Sequence, residues 1–384
     1  MNLRRGFLAI ICTAGVIAAT LSPARAIETK AEEAILVDHT TGKVLYAKNP
    51  DRRIPPASMS KIMTAYTVFH RLAESDLTLS DTFEISEKAW RKGGSKMFVE
   101  VGNKVAVEDL LRGMIIQSGN DASIALAEGI AGTEKAFANM MTELGREIGL
   151  EKSTFRNATG WPNSEHRTTV RDLAKIASHI INDFPKKYNM FTQREFTWNG
   201  IRQFNRNPLL GKGLGVDGLK TGHTQAAGYG LTASAKQGNR RLTAVVAGLD
   251  TPEGREDEAA RLLTWGFRKF DNYTLFKAGE TVEKARLWLG ERGDVPLVTG
   301  SDVTVTLRRD RRRELKAGVH YESPIPAPVD QGEELAELRL SLPDGNTRTL
   351  PLVASEDVPR LGPAGRLAGG LQYLLFGPPT PRTQ

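Results

Sequence analysis

The chain has 384 residues, a hydrophobic content of 40%, a charged content of 25% and a formal charge of +7. At about 100 to 200 residues per domain this is enough for one large core and a second smaller one, and the composition does not favour a disordered chain. The basic balance suits an acidic polymer or an anionic membrane surface as well as a plain solvated exterior, and no nucleic-acid-binding motif accompanies it.

At the N-terminus, Met1-Asn2-Leu3-Arg4-Arg5 precedes an apolar run from Phe7 to Leu21 and then Ala24-Arg25-Ala26. A basic start, a short apolar stretch and an Ala-x-Ala site predict a secretory signal at residues 1–26, cleaved after Ala26; an uncleaved anchor is the alternative. The single cysteine, Cys12, lies inside that segment. The mature chain would therefore hold no disulfide, thiolate nucleophile or cysteine-ligated metal. None of the six histidines forms a His-Glu-x-x-His pair, which disfavours a zinc hydrolase.

From Ala34 to Lys48 two apolar runs flank Thr40-Thr41-Gly42, a hairpin pattern. Pro55 and Pro56 stop extended structure, and Ser58 to Leu72 reads as a helix. A mostly helical middle includes Val107 to Gln117, Ala122 to Ile130 and Glu134 to Ile148. Strand patterns return at Gly228 to Ala235 and Arg241 to Leu249, and a helix from Glu256 to Phe270 closes the unit. Strands at both ends of a helical middle predict an α+β domain over residues 27–273, with the terminal strands sharing one antiparallel sheet packed against helices.

Short β runs follow at Val282 to Leu289, Val303 to Leu307, Leu335 to Leu342 and Arg348 to Val353, with an Asp344-Gly345 turn. They predict a small all-β domain over residues 275–356. Its Arg311-Arg312-Arg313 cluster reads as a solvated hairpin tip before it reads as a docking site. In the tail, Leu367, Leu371, Leu374 and Leu375 fall on one helical face near Arg360 and Arg366. A short amphipathic helix over 360–377 that lies on a membrane is expected, although its glycines also suit a frayed end.

Three short motifs carry chemistry. Ser58-Met59-Ser60-Lys61 places a lysine one turn from a serine hydroxyl, and a desolvated lysine can act as the base that this poor nucleophile needs. Ser58 alone would equally suit a helix N-cap. Ser118-Gly119-Asn120, between two helices, offers a hydroxyl to relay a proton and a carboxamide to hold an amide; alone it is a helix stop and restart. Lys220-Thr221-Gly222 sets a cation and a hydroxyl on a strand where the backbone can be approached closely, which suits a substrate carboxylate. Each motif is weak by itself. Together and in this order they are the set that marks class A β-lactamases and penicillin-binding proteins.

At Pro56 to Thr64, Gln117 to Ala122 and Val216 to Thr224 the chain resembles the low-molecular-mass penicillin-binding proteins that act as D-alanyl-D-alanine carboxypeptidases. The likeness extends to the small β domain and the amphipathic tail, which β-lactamases lack. It implies a β-lactamase/transpeptidase-like catalytic fold, with Ser58 acylated, Lys61 as its base and Ser118 as proton relay. It also implies that Asn120, Lys220, Thr221, Gly222, His223, Arg255 and Arg206 bind substrate, the two arginines by matching Asn205-Arg206-Asn207 and Gly254-Arg255-Glu256 to segments that order the carboxylate end of the site. The implied substrate is the wall stem peptide ending in D-Ala-D-Ala, with β-lactams as covalent inhibitors and no metal or organic cofactor. A β-lactamase would need a deacylating carboxylate, yet no Glu-x-x-Leu-Asn segment lies between Ser118 and Lys220, and Glu165 is followed by His166-Arg167-Thr168-Thr169. A D,D-endopeptidase and a non-catalytic wall-binding protein remain the other readings.

Overall fold

Residues 27–376 are described by a computed structural model of the chain; the expected signal segment lies outside them. In chain order, β1 (Glu33–Asp38) and β2 (Val44–Lys48) lead to a 3-10 turn (Ala57–Ser60) that runs into α1 (Lys61–Glu74). Then come β3 (Thr82–Glu84), α2 (Glu87–Arg91), β4 (Lys104–Ala106), α3 (Val107–Ile116), α4 (Asn120–Ala131), α5 (Glu134–Glu147), α6 (Val170–Asp183) and α7 (Pro185–Tyr188). The small pair β5 (Glu195–Trp198) and β6 (Ile201–Phe204) precedes β7 (Val216–Thr224), β8 (Gly228–Gln237), β9 (Arg240–Leu249) and α8 (Pro252–Lys269).

The five long strands form one sheet in the order β2-β1-β9-β8-β7, antiparallel throughout. The first and last parts of this unit thus meet at the β1–β9 pairing, with Ile35 opposite Val245 and Leu36 opposite Ala244. Both faces are covered. Leu36, Leu231, Leu242 and Val246 pack with Ala259, Leu262 and Leu263 of α8, while Ile35, Leu219 and Val245 join the helical core on the other side. Burial on both faces explains why β1 and β9 read as unbroken apolar runs rather than alternating ones. The helix α1 is the centre of the helical layer: every residue from Lys61 to Phe69 is buried. That leaves Lys61 as a cation in the driest part of the fold.

Two boundaries differ from expectation. The last helix of this unit starts at Pro252, four residues early, because Thr251 caps it by accepting from Gly254 N at 2.9 Å and Pro252 fills its first turn. The strand β10 (Phe270–Phe276) pairs with β13 (Val303–Arg308), so the second β body begins before Tyr273. That body continues with β11 (Thr281–Trp288), β12 (Asp294–Val298), β14 (Lys316–His320), β15 (Ile325–Pro326), β16 (Glu334–Ser341) and β17 (Thr347–Ala354), and its main sheet runs β14-β16-β17-β12-β11-β15. In β16, Ala336, Leu338 and Leu340 are buried while Arg339 and Ser341 are exposed, the alternation of a sheet with one wet face. Arg311 is paired with Glu314, and Arg312 lies over the Tyr273 ring. The chain ends in α9 (Pro363–Phe376), whose Leu367, Leu371, Leu374 and Leu375 are all more than half exposed. Among the described residues no helix is long and apolar enough to cross a membrane.

Candidate active site

Ser58 stands on the 3-10 turn, and three close approaches hold that turn. Ala57 adopts a left-handed backbone (φ 47°). Gly160 lies directly against its carbonyl, where an added Cβ would sit 1.8 Å from Ala57 O. On β7, a Cβ at Gly222 would meet Pro56 O at 2.9 Å and Met59 N at 3.1 Å. Glycine at both places lets the strand and the 157–161 loop press on the turn from their own sides. Ser60, next along, is fixed by His166: Arg156 N donates to the ring Nδ1 at 3.2 Å, so Nε2 carries the proton and donates to Ser60 Oγ at 2.8 Å. Burial, aided by Arg156 and Arg167, pushes His166 down to about 4, which keeps it neutral.

Ser58 is not a helix cap, since Pro56 and Ser60 hold the cap positions of the 3-10 turn and of α1. Its hydroxyl accepts instead from Lys61 Nζ at 3.0 Å. The same ammonium reaches Asn120 Oδ1 at 2.8 Å and the Thr159 carbonyl at 2.7 Å, so its three donors are used. Lys61 is 1% exposed, and burial pushes it down to about 7; Asp121 opposes that shift, while Arg206 and Lys92 add to it. A lysine at about 7 can hold or give up its proton near neutrality, as a general base for serine must.

Ser118 makes the bend between α3 and α4 in a left-handed conformation (φ 67°), buried at 3% exposure. Asn120 opens α4 with both ends of its carboxamide engaged, the oxygen by Lys61 and the amide by Gly93 O at 2.8 Å. Residue types at the site did not reveal Asp121. Its carboxylate accepts from Met97 N and Phe98 N at 3.0 and 2.9 Å, and Asn120 N donates to Ser95 O at 2.7 Å. The 93–99 segment is thereby laced over the start of α4. Beyond it Lys92 lies 4.0 Å over the exposed Trp161 ring.

The Lys220 side chain is on the same face of β7 as Gly222 and is equally dry, at 2% exposure. Burial first, then the charges of Lys61, Arg206 and Arg255, push it well below the ordinary lysine range. Its one hydrogen bond among the described residues is a long one to Thr221 O at 3.4 Å. Thr221 is buried beside it. His223 is exposed and stacks on Tyr229 with ring centroids 3.8 Å apart, and the Arg255 guanidinium lies 5.4 Å from the centroid of the same Tyr229 ring, its Nε without a hydrogen-bond partner among the described residues. Because α8 starts early, Arg255 sits in its first turn and not in a loop before it. Arg206 follows β6; its N–H donates to Ile116 O at 3.2 Å, and its guanidinium is exposed yet close enough to depress both lysines. Lys61, Lys220, Arg206 and Arg255 thus lie close enough for their charges to act on one another, a basic cluster that suits an anionic substrate group. Among the described residues no cluster of three or more His, Cys, Asp or Glu side chains is arranged to hold a metal ion.

Residues 18–251 match the family model described as D-alanyl-D-alanine carboxypeptidase. The chain belongs to that family. Residues 270–360 match a second model, the C-terminal domain of penicillin-binding protein 5, which accounts for the all-β body. The D-alanyl-D-alanine carboxypeptidase DacC of Escherichia coli strain K12 is 39% identical over 341 residues, 87% of this chain and 85% of the relative. Penicillin binding protein 5 from Haemophilus influenzae superposes with a TM-score of 0.79 at 36% identity, covering 88% of this chain and all of that one (100%). Penicillin binding protein 6B from Escherichia coli gives 0.73 at 35% identity over 87% and 98% of the two chains. This D-alanyl-D-alanine carboxypeptidase family member therefore has the penicillin-recognising catalytic fold followed by an all-β domain. It is a serine-type hydrolase of the penicillin-binding class.

Proposed function

We propose that Ser58 is the residue acylated, and that the enzyme removes the terminal D-alanine from wall stem peptides ending in D-Ala-D-Ala. Neutral Lys61 takes the proton as Ser58 Oγ attacks the carbonyl between the two D-alanines. Backbone N–H groups of Ser58 and His223 hold the oxyanion, each such donor contributing about 3 to 4 kcal/mol in studied hydrolases. Ser118 passes the proton to the leaving amine, whose carboxylate is held by Thr221, Lys220, Arg255 and Arg206 beside Gly222. Asn120 holds the amide of the retained peptide. Water then splits the ester, its proton returning through Lys61, and frees the shortened peptide. β-Lactams would enter by the same attack and remain as a slowly hydrolysed ester.

The observation that carries this reading is the 3.0 Å contact between Ser58 Oγ and a dry Lys61. A β-lactamase reading lacks support, since neither Ser58 nor Lys61 bonds to a carboxylate and Glu165 is taken by Arg156 at 3.1 Å. The test is D-alanine release by Ser58→Ala from a D-Ala-D-Ala peptide: loss of at least about a thousandfold is expected for a missing nucleophile. Retained release would remove Ser58 from the mechanism. Release of monomers from crosslinked dimers, measured beside it, separates the endopeptidase reading.

The segment 1–26 is proposed to export the chain, and the exposed leucine face of α9 to rest on the outer face of the inner membrane, with the body in the periplasm. Leu367, Leu371, Leu374 and Leu375 on one side of α9 support that placement.

A further inference from the structure

Away from Lys61 and Lys220, one cavity holds charge that the protein does not neutralise. It measures about 480 Å3 and is lined by Arg53, Thr154, Arg156, Ser164, Glu165 and Arg167. Three guanidinium groups share one carboxylate there. Arg156 is paired with Glu165, and Arg167 donates to the carbonyls of Asn163 and His166 at 3.0 and 3.1 Å. Arg53 is exposed and has no bonded partner among the described residues. Thr154 and Ser164 add hydroxyl donors. The walls are fixed by backbone bonds, Ile54 with Thr168 at 2.8 and 3.0 Å and Thr154 with Arg167 at 2.8 and 3.0 Å. The positive field also extends inward, where Arg156 and Arg167 both help to depress the buried His166.

The cavity is tied to the catalytic turn on two sides. Arg53 precedes Ser58 by a short segment that turns at Pro56 and Ala57, and even a fully extended chain of that length, at about 3.6 Å per residue, would span at most about 18 Å. The loop that supplies Ser164, Glu165 and Arg167 also supplies the Thr159 carbonyl on Lys61 and the Ser60-bound His166. A peptide acylated on Ser58 that left the site along this loop, at about 3.3 Å per residue, would bring a side chain to the cavity about two to four residues before the scissile bond.

We propose that the Arg53, Arg156 and Arg167 cavity is a second substrate subsite, which takes a free carboxylate on the acyl side of the peptide and makes the enzyme prefer anionic to neutral donors. Guanidinium groups with neighbouring hydroxyls match the planar, two-oxygen acceptor of a carboxylate. The inference rests on Ser58 being the acylated residue, since the acyl chain is what reaches here.

Two peptides of equal length ending in D-Ala-D-Ala test it, one with a free carboxylate upstream and one with that group as a carboxamide. The quantity read is the ratio of their kcat/KM values, for the full chain and for Arg53→Glu and Arg53→Lys. The ratio is expected to favour the anionic peptide, to fall about three- to tenfold in Arg53→Glu, to persist in Arg53→Lys, and to shrink as salt is raised, as for solvent-exposed charge pairs. Arg53 has no bonded partner among the described residues, so its replacement breaks no hydrogen bond or ion pair there; a thermal melt checks that the variant is folded. An unchanged ratio in folded Arg53→Glu overturns the subsite, and so does an equal fall for both peptides, which would report damage to the turn. If the folded wild-type chain releases D-alanine from neither peptide, the reading of Ser58 fails as well. Release from both with no charge preference at low salt sinks the subsite alone.

Discussion

At Lys61 an ammonium group has exchanged water for three oxygen acceptors, and burial has pushed it down to about 7. A base works in its neutral form, and a depressed lysine is neutral above that value and charged below it. Acylation of Ser58 should therefore fall as pH drops through about 7, by close to tenfold per unit once Lys61 is mostly charged, and level off on the alkaline side. Stopped-flow reaction with a chromogenic cephalosporin from pH 5 to 9 reads this directly; a flat profile would show that Lys61 is not the base. Lys61→Arg keeps the charge but cannot lose it, and should be nearly inert over the whole range. The serine and lysine were legible because their spacing of one turn is local. Thr159 was not, since it contributes a backbone carbonyl, which no residue type announces. Asp121 was hidden for another reason: its partners are the N–H groups of Met97 and Phe98, brought to it only by tertiary folding.

Elements position these residues through close contacts that only glycine permits. Gly160 has φ 77° and no room for a Cβ against Ala57 O, so Gly160→Ala must move either the 157–161 loop or the turn that carries Ser58. A loss of about 2 to 4 kcal/mol in stability is expected from the strained backbone and the clash together. Penicillin acylation should slow even where the variant remains folded, because Thr159 and Ser58 move apart; denaturant melts and acylation rates on one preparation check both, and normal values of each would mean that the approach is not needed. At this scale the sequence resolved the hairpin, α3, α5 and the β8–β9 pair closely, since each has an apolar rhythm between clear turns. Other elements were obscured by competing signals. The start of α8 reads late in the sequence because Gly254 has loop character, although Thr251 and Pro252 already form a helix start. The helix α6 escapes the sequence reading, even though Thr169 caps it by accepting from Asp172 N and Leu173, Ile176, Ala177 and Ile180 fall on one face. The edge strand β14 carries too few apolar positions to stand out, and the short inner strand β12 is masked by Pro296 at its centre.

Across the whole molecule, the sheet of the catalytic unit touches the β body where Lys43 pairs with Asp344, Thr41 meets Thr306 and Asn272 reaches Asp38. These contacts join distant parts of the chain, so only the existence of a second β unit was legible beforehand. The tail is different: its leucine spacing was plain in the sequence, and the helix α9 leaves those leucines facing outward. Removing residues 360–384 should shift the protein from the membrane fraction to the soluble one while D-alanine release in solution persists; membrane retention by the truncated chain would contradict the proposed placement. The central claim concerns Ser58, and intact-mass spectrometry of the full chain after exposure to penicillin tests it most directly. The expected result is one stable adduct, mapped to the peptide that contains Ser58 and absent from Ser58→Ala. No adduct on folded protein, or an adduct that survives in Ser58→Ala, would contradict it.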